Sequence, residues 1–123
     1  MAEYNELVER YLAVWNEGDE QARAAAIAAL WTENATYTDP MAEVAGHAGI
    51  AAVISGVQGM FPGHVFQVHG PVDGHHNVVR FGWELVPAAG GESLVIGFDV
   101  AVLAEDGRIR AVHGFLDKVP AAV

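Results

Sequence analysis

The hydrophobic period of this chain changes once, and that change limits the folds open to it. As far as Phe61, one short stretch apart, apolar residues recur at three- and four-residue intervals; beyond it they alternate. Tyr4, Leu7, Val8, Tyr11, Leu12 and Trp15 form one helical stripe, with Gly18 placed to end it. Asp19 can cap a second helix through an alanine-rich stretch that carries Ile27, Leu30 and Trp31, since alanine has the highest helix propensity. A third helix fits Ile50, Val53, Ile54, Val57 and Phe61 and closes at Pro62-Gly63. Between the last two, Ala35-Thr36-Tyr37-Thr38-Asp39 is rich in β-formers and stops at Pro40, which predicts a short strand.

In the second half, turn signals at Asp73-Gly74, Ala89-Gly90-Gly91 and Glu105-Asp106-Gly107 separate four β-rich runs, which read as an antiparallel meander. In the second run Val79, Phe81, Trp83 and Leu85 share one face, while Arg80, Gly82 and Glu84 share the other. Helices grouped at the front and strands at the back predict an α+β fold in the order α-α-β-α-β-β-β-β. Three N-terminal helices would pack on one face of a curved, mostly antiparallel sheet. No repeat, linker or low-complexity segment divides the chain, so residues 1–123 are expected to form a single domain. A chain of this length buries roughly two-thirds of its unfolded surface, enough for a core without staples.

Charge and side-chain inventory remove whole classes of function. Six basic side chains stand against sixteen acidic ones, a formal net charge of −10, and Lys118 is the only lysine. Nucleic-acid binding draws its affinity from clustered Lys and Arg, so no nucleic-acid partner is expected. The same field disfavours anionic substrates and favours a neutral or cationic small molecule. No stretch approaches ~18 to 20 uninterrupted apolar residues, and Glu3, Glu6 and Glu9 stand where a basic leader would be. A soluble, cytoplasmic protein without membrane association is therefore expected. The chain has no cysteine, which removes thiolate catalysis, Fe–S clusters and Cys-type zinc sites. Ser55 and Ser93 are the only serines, neither in a Gly-x-Ser-x-Gly elbow, and no glycine-rich loop has nucleotide-binding spacing. Histidines at 47, 64, 69, 75, 76 and 113 form no His-x-x-x-His pair, so they read as surface or loop residues. Neither a metal nor a cofactor is expected.

Carboxylates remain. Glu3, Glu6, Glu9, Glu17 and Glu20 fall on polar sides or ends of helices, and Glu105 and Asp106 make a turn. Two acids differ. Asp39 closes a strand inside Tyr-Thr-Asp-Pro, and Asp99 sits in the middle of Leu94-Val95-Ile96-Gly97-Phe98-Asp99-Val100-Ala101-Val102, the most apolar run of the chain. An ionised Asp there is costly unless paired, so it is either a partnered charge or an acid kept protonated by desolvation.

Three segments carry a resemblance to a known superfamily. They are Arg10-Tyr11-Leu12-Ala13 followed by Asn16-Glu17-Gly18-Asp19, then Asn34-Ala35-Thr36-Tyr37-Thr38-Asp39-Pro40, then Phe98-Asp99-Val100 running into Asp106-Gly107-Arg108-Ile109. Over nearly its whole length the chain resembles the SnoaL-like, or nuclear-transport-factor-2-like, α+β cone with its cystatin-like architecture, which includes ketosteroid isomerase and polyketide cyclases. The resemblance implies a general base at Asp39, a tyrosine oxyanion donor at Tyr11, and a second, protonated donor at Asp99. A strand-end Asp before proline could swing between carbons, and an apolar strand would hold Asp99 neutral so that it can donate. Trp15, Tyr37, Val79, Phe81, Trp83 and Leu116 would wall an apolar slot for a flat neutral ligand.

The chain also departs from the isomerase pattern. The stretch before the Asp-Pro motif is longer, and Ile54 stands where many isomerases carry a third-helix tyrosine. Trp31-Thr32-Glu33-Asn34 and Pro62-Gly63-His64 look more SnoaL-like than steroid-isomerase-like. Three functions stay open: isomerisation or aldol cyclisation of a neutral carbonyl compound, a non-catalytic ligand-binding or dimerisation module, and epoxide hydrolysis of the limonene-epoxide-hydrolase kind. The last needs an arginine between two acids, and the parity of Arg80 sets it opposite Phe81 and Trp83. In relatives the outer sheet face forms a two-fold dimer, which implies a homodimer here with Arg80, Glu84 and His113 near the interface.

Overall fold

The computed structural model describes residues 2–120, so Met1 and residues 121–123 of the expected domain lie outside the described residues. Helix α1 (Ala2–Asn16) buries the predicted stripe: Leu7, Val8, Tyr11, Leu12 and Trp15 are each at most 9% exposed, joined by Val14. Helix α2 (Glu20–Leu30) starts where expected, the Asp19 carboxylate accepting from the Ala22 N–H at 2.8 Å and so satisfying one of the free donors of the first turn. It ends one residue early. Trp31 already has extended dihedrals and opens strand β1 (Trp31–Asp39) with no connecting loop. The strand is thus longer than Ala35–Asp39, and a bulge between Trp31 and Thr36 in its ladder breaks the alternation that would have revealed its first half.

A short strand was not anticipated. β2 (Ala42–Ala45) folds back on β1 across Pro40-Met41, with Asp39 opposite Ala42. Helix α3 (Gly46–Met60) follows, burying Ile50 and Ile54. Strands β3 (His64–His75), β4 (Val78–Pro87), β5 (Val95–Leu103) and β6 (Ile109–Lys118) form the antiparallel meander. The sheet order is β2-β1-β6-β5-β4-β3, and β1 runs parallel to β6, so the sheet is mixed.

Asp73-Gly74 does not form a turn; β3 runs through it, and the reversal falls at His76, whose φ is 51°. Gly74 serves a different purpose. A Cβ there would lie 2.7 Å from the ring of Tyr4, so the glycine lets α1 press onto β3. The two other turn signals are turns, with positive φ at Gly90, Gly91 and Gly107. Trp31, Ile27, Ile54, Val79, Phe81 and Val112 make the fully buried centre between helices and sheet. No helix among the described residues is long and apolar enough to cross a membrane.

Candidate active site

Three neighbouring strands build the site. Asp99 in β5 pairs with Gly114 in β6, and on the other side of β6 Thr38 pairs with His113, one residue before Asp39 and Gly114. A Cβ at position 114 would lie 2.7 Å from Asp99 Oδ1 and 3.4 Å from the Asp39 Cβ. Gly114 is therefore the gap across which both acids turn into one cavity. Sequence reasoning passed over it; the signal was a glycine inside a strand with no turn to make.

Asp39 has a structural duty as well as a half-buried position on the cavity wall. Its Oδ1 accepts the backbone N–H of Met41 at 2.8 Å and of Ala42 at 2.9 Å, closing the Pro40-Met41 turn as an Asx residue does. Its Oδ2 accepts the Tyr37 hydroxyl at 2.6 Å. The freely swinging carboxylate expected from the Asp-Pro motif is thus held at both oxygens, with roughly one of its four lone-pair positions left for a ligand.

Asp99 is 3% exposed. The Tyr11 hydroxyl donates to its Oδ2 at 2.9 Å and the Trp83 indole N–H to its Oδ1 at 3.2 Å. Burial pushes its carboxyl up from 3.8 to about 6, with the Trp83 and Tyr11 donors pulling back and the charge of Asp39 adding to the rise. The direction is the one expected for an acid in an apolar strand. The extent is smaller than a standing neutral donor needs, since the neutral form predominates only below about pH 6. Burial, then the charge of Asp99, raises Tyr11 well above the usual phenol range, and burial does the same to Tyr37, so both hydroxyls keep their protons.

The cavity holds about 530 Å3 and is lined by Tyr11, Trp15, Tyr37, Asp39, Trp83, Asp99 and Leu116, all anticipated. Leu12, Val53, Val57, Phe61, Phe66 and Leu94 are also part of the wall, and Met41, Met60 and Val119, 79%, 65% and 53% exposed, form an apolar rim. Leu12, Val53, Val57 and Met60 on helices and Phe66 on a strand escape prediction because a period does not give height above the sheet, and Met41, Phe61, Leu94 and Val119 because the connections they sit in have no period. Val79 and Phe81, expected on the wall, do not line the cavity. They are at most 1% exposed, deeper in the core, with Phe81 packed edge-on against Tyr11 at 5.2 Å. No Lys, Arg or His is among the lining residues. Arg80 lies on the opposite face of the sheet, its guanidinium 5.3 Å from the Phe98 ring. Among the described residues no cluster of three or more His, Asp or Glu side chains could hold a metal ion.

A family model for the SnoaL-like domain matches residues 8–112. The chain belongs to the SnoaL-like family. A candidate isomerase of that family from Agrobacterium tumefaciens is 40% identical, with 95% of this chain and 99% of that one covered and a TM-score of 0.90. A candidate SnoaL-like polyketide cyclase from Jannaschia is 17% identical over 93% of this chain and 87% of its own, with a TM-score of 0.70. A cystatin-like protein of unknown function from Nostoc punctiforme is 10% identical over 99% and 94%, with a TM-score of 0.71. The last two likenesses establish the fold alone. No curated protein sequence matches the chain.

Proposed function

We propose that this SnoaL-like protein is a cofactor-free acid–base enzyme acting on a small, neutral, apolar carbonyl compound. The observation that carries the reading is the pair of carboxyls facing one apolar cavity, Asp39 as an acceptor and Asp99 joined to Tyr11. Asp39 would take a proton from the carbon beside the carbonyl, whose electron pair moves onto oxygen. Tyr11 and neutral Asp99 donate to that enolate oxygen within the apolar walls of the cavity. Returning the proton to a different carbon gives isomerisation. Attack of the enolate carbon on a second carbonyl of the same molecule, with the proton then passing to the new alkoxide, gives aldol cyclisation. The relative that is 40% identical lends weight to the isomerase half; the cyclase half rests on the shared enolate chemistry.

An apolar ligand that fills the cavity removes water from Asp99 and lifts its carboxyl further, so binding is accompanied by proton uptake. The test is a pH–rate profile on a panel of cyclic β,γ-unsaturated ketones and β-diketones. Turnover read as kcat/KM, which reports the ligand-free protein, should fall as pH rises through the Asp99 titration, and a kcat/KM flat from pH 5 to 8 would remove the neutral donor from the scheme. A second reading, a ligand-binding module without catalysis, is favoured by the fact that both Asp99 oxygens already accept hydrogen bonds. It predicts binding of the same ketones with no exchange of their α-hydrogens. The outer sheet face supports docking of a second copy: Phe115, 51% exposed, stacks on Phe98 at 5.0 Å under Arg80. Sedimentation velocity should then give a dimer that Phe115→Asp dissociates; a wild-type monomer at all concentrations would refute this.

A further inference from the structure

We infer that the Trp83 indole fixes the proton of neutral Asp99 on Oδ2, the oxygen shared with Tyr11, and so acts as a positioning residue. The inference deepens the acid–base reading above and rests on it for its functional meaning, though not for its test. An indole N–H donates and never accepts. Because it points at Asp99 Oδ1 from 3.2 Å, a proton on that oxygen would meet it donor to donor. A proton on Oδ2 leaves the Trp83 bond intact. There it faces the Tyr11 hydroxyl at 2.9 Å, a group able both to donate and to accept. Without a ligand the two hydroxyls share one hydrogen bond and one O–H stays free; an enolate oxygen seated between them takes both protons.

The indole is placed for this by a second absent side chain. Trp83 pairs with Gly97 across β4 and β5, and a Cβ at position 97 would lie 2.6 Å from Trp83 Cζ2 and 3.0 Å from Cε2. With glycine there, the ring can lie over β5 and reach Asp99, two residues along the same strand. Phe66 closes on the indole edge-to-face at 5.3 Å. The groups that face Asp99 are Tyr11 from α1, Tyr37 and Asp39 from β1, and Trp83 from β4, while β6 presents the bare Gly114. Of these, Trp83 is the one that cannot accept a proton or a hydrogen bond, so it is the one that breaks the symmetry of the carboxyl.

The experiment replaces Trp83 by benzothienylalanine, in which sulfur stands for the N–H at nearly constant shape, and follows the 13C resonance of the Asp99 carboxyl through a pH titration. Losing a donor to the charged form should raise the midpoint by about one pH unit, a tenfold gain in proton affinity. In parallel, Asp99→Asn supplies a neutral mimic with Trp83 untouched. Its side-chain NH2 should show nuclear Overhauser contacts to the Tyr11 ring and none to the indole proton of Trp83, with that indole proton protected from exchange. An unmoved midpoint, or an amide NH2 turned toward Trp83, would overturn the inference. Neither readout needs turnover. If both come out as expected while Asp39→Asn has no effect on catalysis, the proton's position stands and the enzymatic reading falls.

Discussion

Holding Asp99 in the core costs stability in a way that depends on pH, and Asp99→Asn isolates that cost. The carboxyl titrates at about 6 when folded, against an ordinary value of 3.8 for the unfolded chain. Below about pH 4 both states carry the proton and the group makes no difference. Between about 4 and 6 the unfolded chain ionises first, so stability falls as pH rises; above about 6 the full penalty is in place. A gap of roughly two pH units, at about 1.4 kcal/mol each, makes that penalty on the order of 3 kcal/mol. Asn carries no charge, can give its oxygen to Trp83 and its NH2 to the Tyr11 oxygen, and escapes the penalty. Urea denaturation of both proteins at five pH values from 4 to 8 measures the difference. Relative to wild type the variant should gain about 3 kcal/mol between pH 4 and pH 7 and nothing more above it. Surface acids held low by their partners, Glu84 by Ser93 and Asp106 by Arg108, act alike in both proteins and cancel. A difference that stays constant over this range, or grows toward low pH, would refute the burial argument.

Other substitutions test separate links of the same account. Gly114→Ala places a methyl 2.7 Å from Asp99 Oδ1, so it should cost about 1–3 kcal/mol by overpacking and weaken ligand binding, both read by denaturation and calorimetry. An unchanged protein would mean that the gap does not matter. Tyr11→Phe removes a donor to a group that is charged above about pH 6, so its cost in denaturation should be larger at pH 8 than at pH 4.5, by about 1 kcal/mol or more. Asp19→Ala, far from the cavity, should lower stability by about 1 kcal/mol through loss of the α2 cap, without changing ligand affinity.

Where local chemistry decides an element, the sequence was readable. The α1 stripe, the Asp19 cap and the alternation of Val79, Phe81, Trp83 and Leu85 each rest on a period or a side-chain preference that a neighbour cannot overrule. What escaped depended on contacts between distant segments. Trp31 looked helical because it continues the apolar spacing of α2, yet its indole belongs to the core under Tyr11, with ring centroids 5.8 Å apart. Asp73-Gly74 looked like a turn because a glycine needed for packing against Tyr4 has the same letters as a glycine needed for φ. The candidate site divides in the same way. Asp39, Tyr11 and Asp99 were visible as residues out of place in their surroundings or at positions of a known motif. The glycines that make room for them, Gly97 and Gly114, were invisible, because a strand glycine declares what it omits and not which side chain fills the gap. Asp39 is legible in the sequence as a strand-end base, whereas its two oxygens allow it also to close the following turn through Oδ1 while Oδ2 faces the cavity.

The claim that matters most is that Asp39 removes a proton from carbon. It is measured most directly by following deuterium entering the α-position of a cavity-sized ketone in D2O by proton NMR, with wild type and Asp39→Asn compared at equal ligand occupancy. The amide keeps its oxygen for the Met41 and Ala42 N–H groups and can give its NH2 to Tyr37, so the turn and the cavity should survive. Exchange should exceed the uncatalysed rate in wild type and fall at least about a hundredfold in the variant, with ligand affinity unchanged. Equal exchange in both proteins would contradict that claim.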